Sequence, residues 1–223
     1  MKIAYPAEKI EAFSKACLGE SPIGLQSENE KVTYRAFHRL LLANHGIQSH
    51  GAVTVKDYAT ECVADCSLAY LLFFLNLNKA SLASLRSSIE NSWRYLLQSN
   101  GRSAGDFEFI PDLVSECRSL NLYDGLSTEI VNRGYAIYKD LCQAVHSSKD
   151  DYLTNEVPFQ NLTALNKEKS NTNLEIARKV FQNDLEVLVI SNLNIIKALE
   201  AKEFDGVMDG LERTLKRRLH EID

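Results

Sequence analysis

The chain contains few of the residues that interrupt helices. Its 223 residues include only four prolines and ten glycines, and both residue types are unfavourable inside a helix. Along most of the sequence, apolar side chains instead recur every three or four residues, which is the helical period. We therefore predict an all-α fold, a helical bundle with long antiparallel helices.

Long apolar runs are also missing. The densest run, 68–77, is too short to cross a bilayer and is interrupted by Asn76. The first ten residues include Lys2, Glu8 and Lys9, and they show no apolar stretch of signal-peptide length. We expect no association with a membrane and a location in the cytoplasm.

Cysteine is sparse, and its number is odd. The five cysteines are scattered along the chain, which favours free buried thiols over a disulfide framework. Cys62 and Cys66 lie four residues apart and so share a helix face. The sequence has no Cys-x-x-Cys pair, however, and no nearby set of four zinc ligands. We predict no metal site and no cofactor.

A strong excess of basic residues is absent as well. The net charge is −5 at pH 7, which argues against binding to nucleic acid through bulk electrostatics. Binding to nucleic acid would therefore need a local basic patch.

The apolar period predicts the limits of the helices. They cover 7–18, 31–44, 57–76, 81–99, 127–148, 173–202 and 204–222, with a short helix ending near Leu120. Gly46 closes the second helix as a C-cap, and the polar stretch 149–170 forms a long surface loop. We divide the chain into an N-terminal helical extension, 1–55, and a helical bundle, 56–223.

Two segments resemble a known family. Residues 85–90 read Leu-Arg-Ser-Ser-Ile-Glu, and residues 138–147 read Tyr-Lys-Asp-Leu-Cys-Gln-Ala-Val-His-Ser. Together they resemble the HEPN superfamily of helical bundles from bacterial toxin–antitoxin and antiviral defence systems, over roughly residues 57–199. The resemblance implies a HEPN-like bundle, a homodimer and RNA as substrate. It also implies metal-independent endoribonuclease chemistry by an arginine and a histidine that are separated by four to six residues on one helix.

The candidate site departs from that family pattern. His146 matches the family histidine, but residues 139–142 include no arginine. Attack of an RNA 2′-hydroxyl on its phosphate needs a general base and a cation on the phosphate. We predict His146 as the base and Arg86 or Arg94 as the cation, with Glu90 between the arginines able to pair with either.

Two functions remain open from the sequence. The first is a HEPN-like effector of a toxin or phage-defence system that cleaves RNA without a metal. The second is a non-catalytic helical adaptor that dimerises or binds a partner protein, because the family arginine is missing and the chain is acidic. Arg86, Glu90 and Arg94 also have the spacing of an ion-paired helix surface. A homodimer is expected in both cases, since the last two helices carry more apolar residues than one small core requires.

Overall fold

The computed structural model describes residues 27–51, 56–74, 77–105, 107–146 and 167–221. Every regular element among these residues is a helix: α1 (Glu28–His50), α2 (Lys56–Phe74), α3 (Asn78–Ser99), α4 (Ile110–Ser119), α5 (Leu126–His146), α6 (Lys167–Ser191), α7 (Leu193–Lys197), α8 (Ala201–Met208) and α9 (Arg213–His220). The predicted all-α class is confirmed. The predicted helix 7–18 and residues 149–166 of the predicted loop lie outside the described residues, whereas 167–170 belong to α6.

The long helices run in two opposite directions. Asn173 of α6 donates to Asn78 of α3, and Ser88, farther along α3, donates to Asp184, farther along α6, so these two helices are parallel. Other contacts show that α2 and α5 run antiparallel to α3. The bundle therefore has the predicted antiparallel pairs, α2 with α3 and α3 with α5, whereas the contacting helices α3 and α6 are parallel.

Helix α6 is the centre of the bundle. It packs against α1, α2, α3 and α5, and all eight residues from 183 to 190 are buried. This buried stretch includes Asn183, Asp184 and Glu186, each 0% exposed. Buried polar side chains cost free energy unless they are hydrogen-bonded or ion-paired. These three side chains of α6 therefore require contacts with the neighbouring helices.

Helix α1 lies within the predicted extension 1–55, and its apolar face belongs to the common core. A capping box begins it: Ser27 Oγ accepts from the Glu30 amide at 3.2 Å, and Glu30 Oε2 accepts from the Ser27 amide at 2.7 Å. Its buried face carries Phe37, Leu40, Ala43 and Ile47.

The predicted end of α1 at Gly46 is wrong, because the helix continues to His50. A Cβ atom at Gly46 would lie 2.7 Å from Leu199 Cδ2. The glycine therefore permits the close approach of Leu199 and does not cap the helix.

The C-terminal part is more broken than the two predicted helices, 173–202 and 204–222. Asn192 interrupts the first, and its side-chain amide donates to the Leu188 carbonyl at 2.9 Å. The apolar residues of α8 and α9 are buried in the core of the same chain: Val207, Met208, Leu215 and Leu219. The sequence suggested that these apolar residues form a dimer interface, but they are buried in the core of their own chain. None of the described helices combines the length and the apolar character that a membrane crossing requires.

Candidate functional site

The two segments that carry the HEPN resemblance form one antiparallel helix pair, α3 and α5. Tyr138 Oη donates a hydrogen bond to Glu90 Oε1 at 2.8 Å. The ring of Trp93, nearly one turn after Glu90, lies 5.5 Å from the Tyr138 ring and 6.4 Å from that of Tyr135. Since later residues of α3 meet earlier residues of α5, the two helices run in opposite directions.

Arg86, Glu90 and Tyr138 form a half-buried polar network between these helices. Arg86 Nε lies 3.6 Å from Glu90 Oε1, the same oxygen that accepts the Tyr138 hydrogen bond. The side chains of Arg86 and Glu90 are 31% and 25% exposed. Burial, followed by the Glu90 carboxylate, raises the pKa of Tyr138, so its hydroxyl stays protonated and donates at neutral pH. Glu90 is thereby held between a cation and a hydroxyl group.

Arg94 does not join this network. Its Nη1 donates to the Ala104 carbonyl at 2.5 Å, and its Nη2 donates to the Phe107 carbonyl at 3.1 Å. The guanidinium group thus ties the connection between α3 and α4 to the side of α3. This is a structural use of the arginine, in a place where the sequence predicted a phosphate contact.

His146 is exposed in the last turn of α5. It follows Tyr138 and Cys142 at spacings of four, so the three side chains form a row along one side of the helix. With a rise of about 1.5 Å per residue, His146 lies about 12 Å beyond Tyr138 along the bundle, and Arg86 lies about 6 Å beyond Glu90 in the same direction. On the same spacing, Arg86 lies about 6 Å short of the level of His146. Arg94, at about 18 Å from that level, cannot share one phosphate group with the histidine.

A second polar group, the thiol–carboxyl cluster, lies inside the bundle. It consists of Cys62 and Cys66 on α2, Ser88 on α3 and Asp184 on α6, all 0% exposed. Ser88 Oγ donates to Asp184 Oδ2 at 2.9 Å, and Cys66 Sγ lies 3.6 Å from the same oxygen. The two Sγ atoms and a carboxyl oxygen of Asp184 all lie within 4.8 Å of one another. These three residues have the donor atoms to hold a metal ion.

Asp184 is the residue of this cluster that the sequence did not reveal. Burial raises its pKa to about 6, against the opposing effect of the Ser88 and Ser92 hydroxyls. Its second oxygen, Oδ1, has no donor in hydrogen-bonding geometry in the described part of the chain. The available signal was an acidic residue within the mainly apolar segment 183–190.

A separate groove lies between α1 and α8. Its volume is about 400 Å³, and its basic and aromatic lining consists of Tyr34, Arg35, His38, Arg39 and Lys202. Burial, and next the charge of Arg39, lowers the pKa of His38, which keeps this imidazole neutral at neutral pH. The acidic residues Glu203 and Asp209 also line the groove, and none of the predicted site residues does.

Comparison of this chain with models of protein families, with curated proteins and with solved structures finds no match.

Proposed function

We propose that the protein is an RNA-directed, HEPN-like effector of a toxin or phage-defence system. The observation that best supports this function is the network of Arg86, Glu90 and Tyr138 on the two helices that carry the resemblance. An interface between two bundle helices is normally apolar, so a shared ion pair and hydroxyl group at this position indicate a use beyond packing. The row on α5 continues from Tyr138 to the exposed His146.

In the proposed reaction, His146 accepts the proton of an RNA 2′-hydroxyl, and the resulting oxygen attacks the adjacent phosphorus. Arg86 exchanges the Glu90 carboxylate for the phosphate and stabilises the charge that develops on its oxygens. Tyr138 continues to donate to Glu90 after this exchange. The 5′-oxygen leaves with a proton from water, the hydroxide that remains takes the proton from His146, and the products are a 2′,3′-cyclic phosphate and a 5′-hydroxyl. No metal ion takes part in these steps.

The test is cleavage of end-labelled RNA in EDTA. We expect the wild-type protein to cut RNA and His146→Ala to lose at least about 100-fold in rate, the usual contribution of a general base. Arg86→Ala should lose about 100- to 1,000-fold, because one charge-stabilising group is removed. His50→Ala is the matched control, since His50 is also exposed in the last turn of a helix, and it should keep full activity.

Two outcomes would contradict this assignment. A fully active His146→Ala protein would remove the proposed base. Loss of RNA binding in Lys202→Glu, with binding retained in Arg86→Ala, would place the RNA contact in the groove between α1 and α8. Circular dichroism and thermal unfolding of each variant separate loss of chemistry from loss of fold.

A non-catalytic helical adaptor is the second candidate, and the contacts of the two arginines favour it. Both terminal nitrogens of Arg94 bind carbonyl groups, and Arg86 is paired with Glu90. In this function, the surface formed by α3 and α5 binds a partner protein of the same system. RNA that stays intact with folded wild-type protein, in EDTA and in Mg²⁺, together with co-elution of a partner encoded in that system, would support the adaptor.

Both candidates include a homodimer in the cytoplasm, a proposal that rests on the resemblance. Light scattering at micromolar concentration should give twice the mass of one chain, and a monomer would contradict it.

A further inference from the structure

The thiol–carboxyl cluster has the composition of a metal site, and the proposed function does not use it. Cys62 and Cys66 lie about one turn apart on α2, so their sulfur atoms share a face, and Asp184 approaches them from α6. The three ligand atoms lie within 4.8 Å of one another in a region that is 0% exposed. Two helices distant in sequence thus bring together two thiols and a carboxyl group away from water.

The distances fit a tetrahedral ion. With Zn–S bonds of about 2.3 Å and Zn–O bonds of about 2.0 Å, tetrahedral zinc separates a sulfur and an oxygen ligand by about 3.5 Å. Cys66 Sγ and Asp184 Oδ2 are 3.6 Å apart. The Cys62 sulfur reaches the corresponding position with a shift of about 1 Å or less.

The hydrogen bonds of Asp184 also point to a cation. Its Oδ1 is buried and has no donor in the described part of the chain, a state that costs free energy. Its Oδ2 accepts a hydrogen bond from Ser88 Oγ at 2.9 Å, and such a second contact orients the carboxylate ligand in metal sites. A cation between the sulfur atoms and the carboxylate would give the unpaired oxygen a direct partner.

We propose that Cys62, Cys66 and Asp184 bind one Zn²⁺ ion, which joins α2 to the central helix α6. Thiolate ligands select Zn²⁺ over Mg²⁺ and Ca²⁺, and the second carboxylate oxygen, Asp184 Oδ1, completes four-fold coordination. Each thiol releases its proton to solvent on binding. The three negative ligands and the divalent ion leave a net charge of −1, and no electron is transferred. Ser88 is a positioning residue that acts through Asp184.

Co²⁺ is the spectroscopic probe for this site. A tetrahedral thiolate–Co²⁺ centre produces a charge-transfer band in the near ultraviolet and d–d bands in the visible. One sample of the reduced full chain receives Co²⁺ in its folded state, and a second is unfolded and refolded with Co²⁺, so that burial cannot prevent entry. We expect one equivalent of Co²⁺ to saturate both bands in the refolded sample, and zinc to accompany the protein purified from cells.

Variants assign the ligands. Cys62→Ser and Cys66→Ser should each lose most of the charge-transfer intensity, and Ser88→Ala should bind Co²⁺ about 10- to 100-fold more weakly while keeping the bands. Cys117→Ser is the matched control, because Cys117 is a buried thiol on α4, and it should keep the wild-type spectrum.

Three outcomes would overturn the metal site. They are no charge-transfer band in either Co²⁺ sample, bands that survive in the Cys62→Ser/Cys66→Ser double variant, or bands that disappear in Cys117→Ser. Since none of these readouts involves RNA, failure of the metal site is distinguishable from failure of the proposed ribonuclease.

Discussion

The ion pair between Arg133 and Glu186 offers a sharp test of how the central helix is stabilised. Glu186 is a 0% exposed carboxylate on α6, and Arg133 Nη2 of α5 binds its Oε2. Arg133 Nη1 lies 3.1 Å from Oε2 of Glu212, a side chain that is 48% exposed. One guanidinium group therefore joins a buried and an exposed acid, and the two halves of its interaction can be measured separately.

We expect Arg133→Met to lower the free energy of unfolding by about 3 kcal/mol. Removing one partner of a buried pair costs about 3–5 kcal/mol. The lower end applies because Gln182 Nε2 and the Glu212 amide still donate to Glu186 Oε1, each at 3.3 Å. Glu212→Gln is the matched control and should cost less than about 1 kcal/mol, since it weakens only the exposed half. Urea denaturation measures both changes as shifts in midpoint at a constant slope.

The loss of stability in Arg133→Met should depend on pH, and the pKa of Glu186 gives the direction of that dependence. Burial raises the pKa of Glu186, and Arg133 opposes that rise. A carboxyl group whose folded-state pKa is raised contributes stability at low pH and loses it as the pH rises through that pKa. Without Arg133 the rise is larger, so the destabilisation by Arg133→Met should be greater near pH 8 than near pH 5. Equal losses in Arg133→Met and Glu212→Gln, or equal losses at the two pH values, would show that Arg133 does not stabilise the buried Glu186 carboxylate.

Three further substitutions test packing and capping. Gly134→Ala should lower the free energy of unfolding by about 1–2 kcal/mol, because the new Cβ would lie 2.8 Å from the buried Asn183 Nδ2. This loss should be smaller in an Asn183→Ala background, and an unchanged loss would disprove the clash. Arg94→Met should lower the free energy of unfolding by about 1–3 kcal/mol, because two hydrogen bonds to carbonyl groups are lost. RNA cleavage per folded molecule should not change. A loss of turnover would show that Arg94 does contribute to the reaction. Ser27→Ala should cost about 0.5–2 kcal/mol by removing the capping box, whereas Ser84→Ala, inside a helix, should be nearly neutral in thermal unfolding.

Short-range relationships in the candidate site could be predicted from the sequence, and long-range ones could not. Arg86 and Glu90 lie four residues apart on one helix, so their pairing followed from helical spacing alone. Tyr138 reaches Glu90 across 48 residues, and Cys66 reaches Asp184 across 118. Such contacts depend on how whole helices pack. The prediction for Arg94 was wrong for the same reason. Its position on α3 suited a phosphate contact, but its guanidinium group binds two carbonyl groups in the connection to α4.

Gly46 illustrates why helix limits were less certain than the helices themselves. A glycine after an apolar helical segment is a frequent C-cap, yet this one serves the contact with Leu199. Local sequence cannot separate these two uses, because both require the absence of a side chain.

That the chain forms helices, and where most of them lie, follows from local sequence, since helical period and the scarcity of proline and glycine act over a few residues. The same period predicts which side chains share a helix face, Cys62 with Cys66 and Arg86 with Glu90. The central position of α6, and with it the contact of Asp184 with the two thiols in the core, comes from the assembled fold. Contacts between helices depend on the packing of all helices together, and no local period encodes that arrangement.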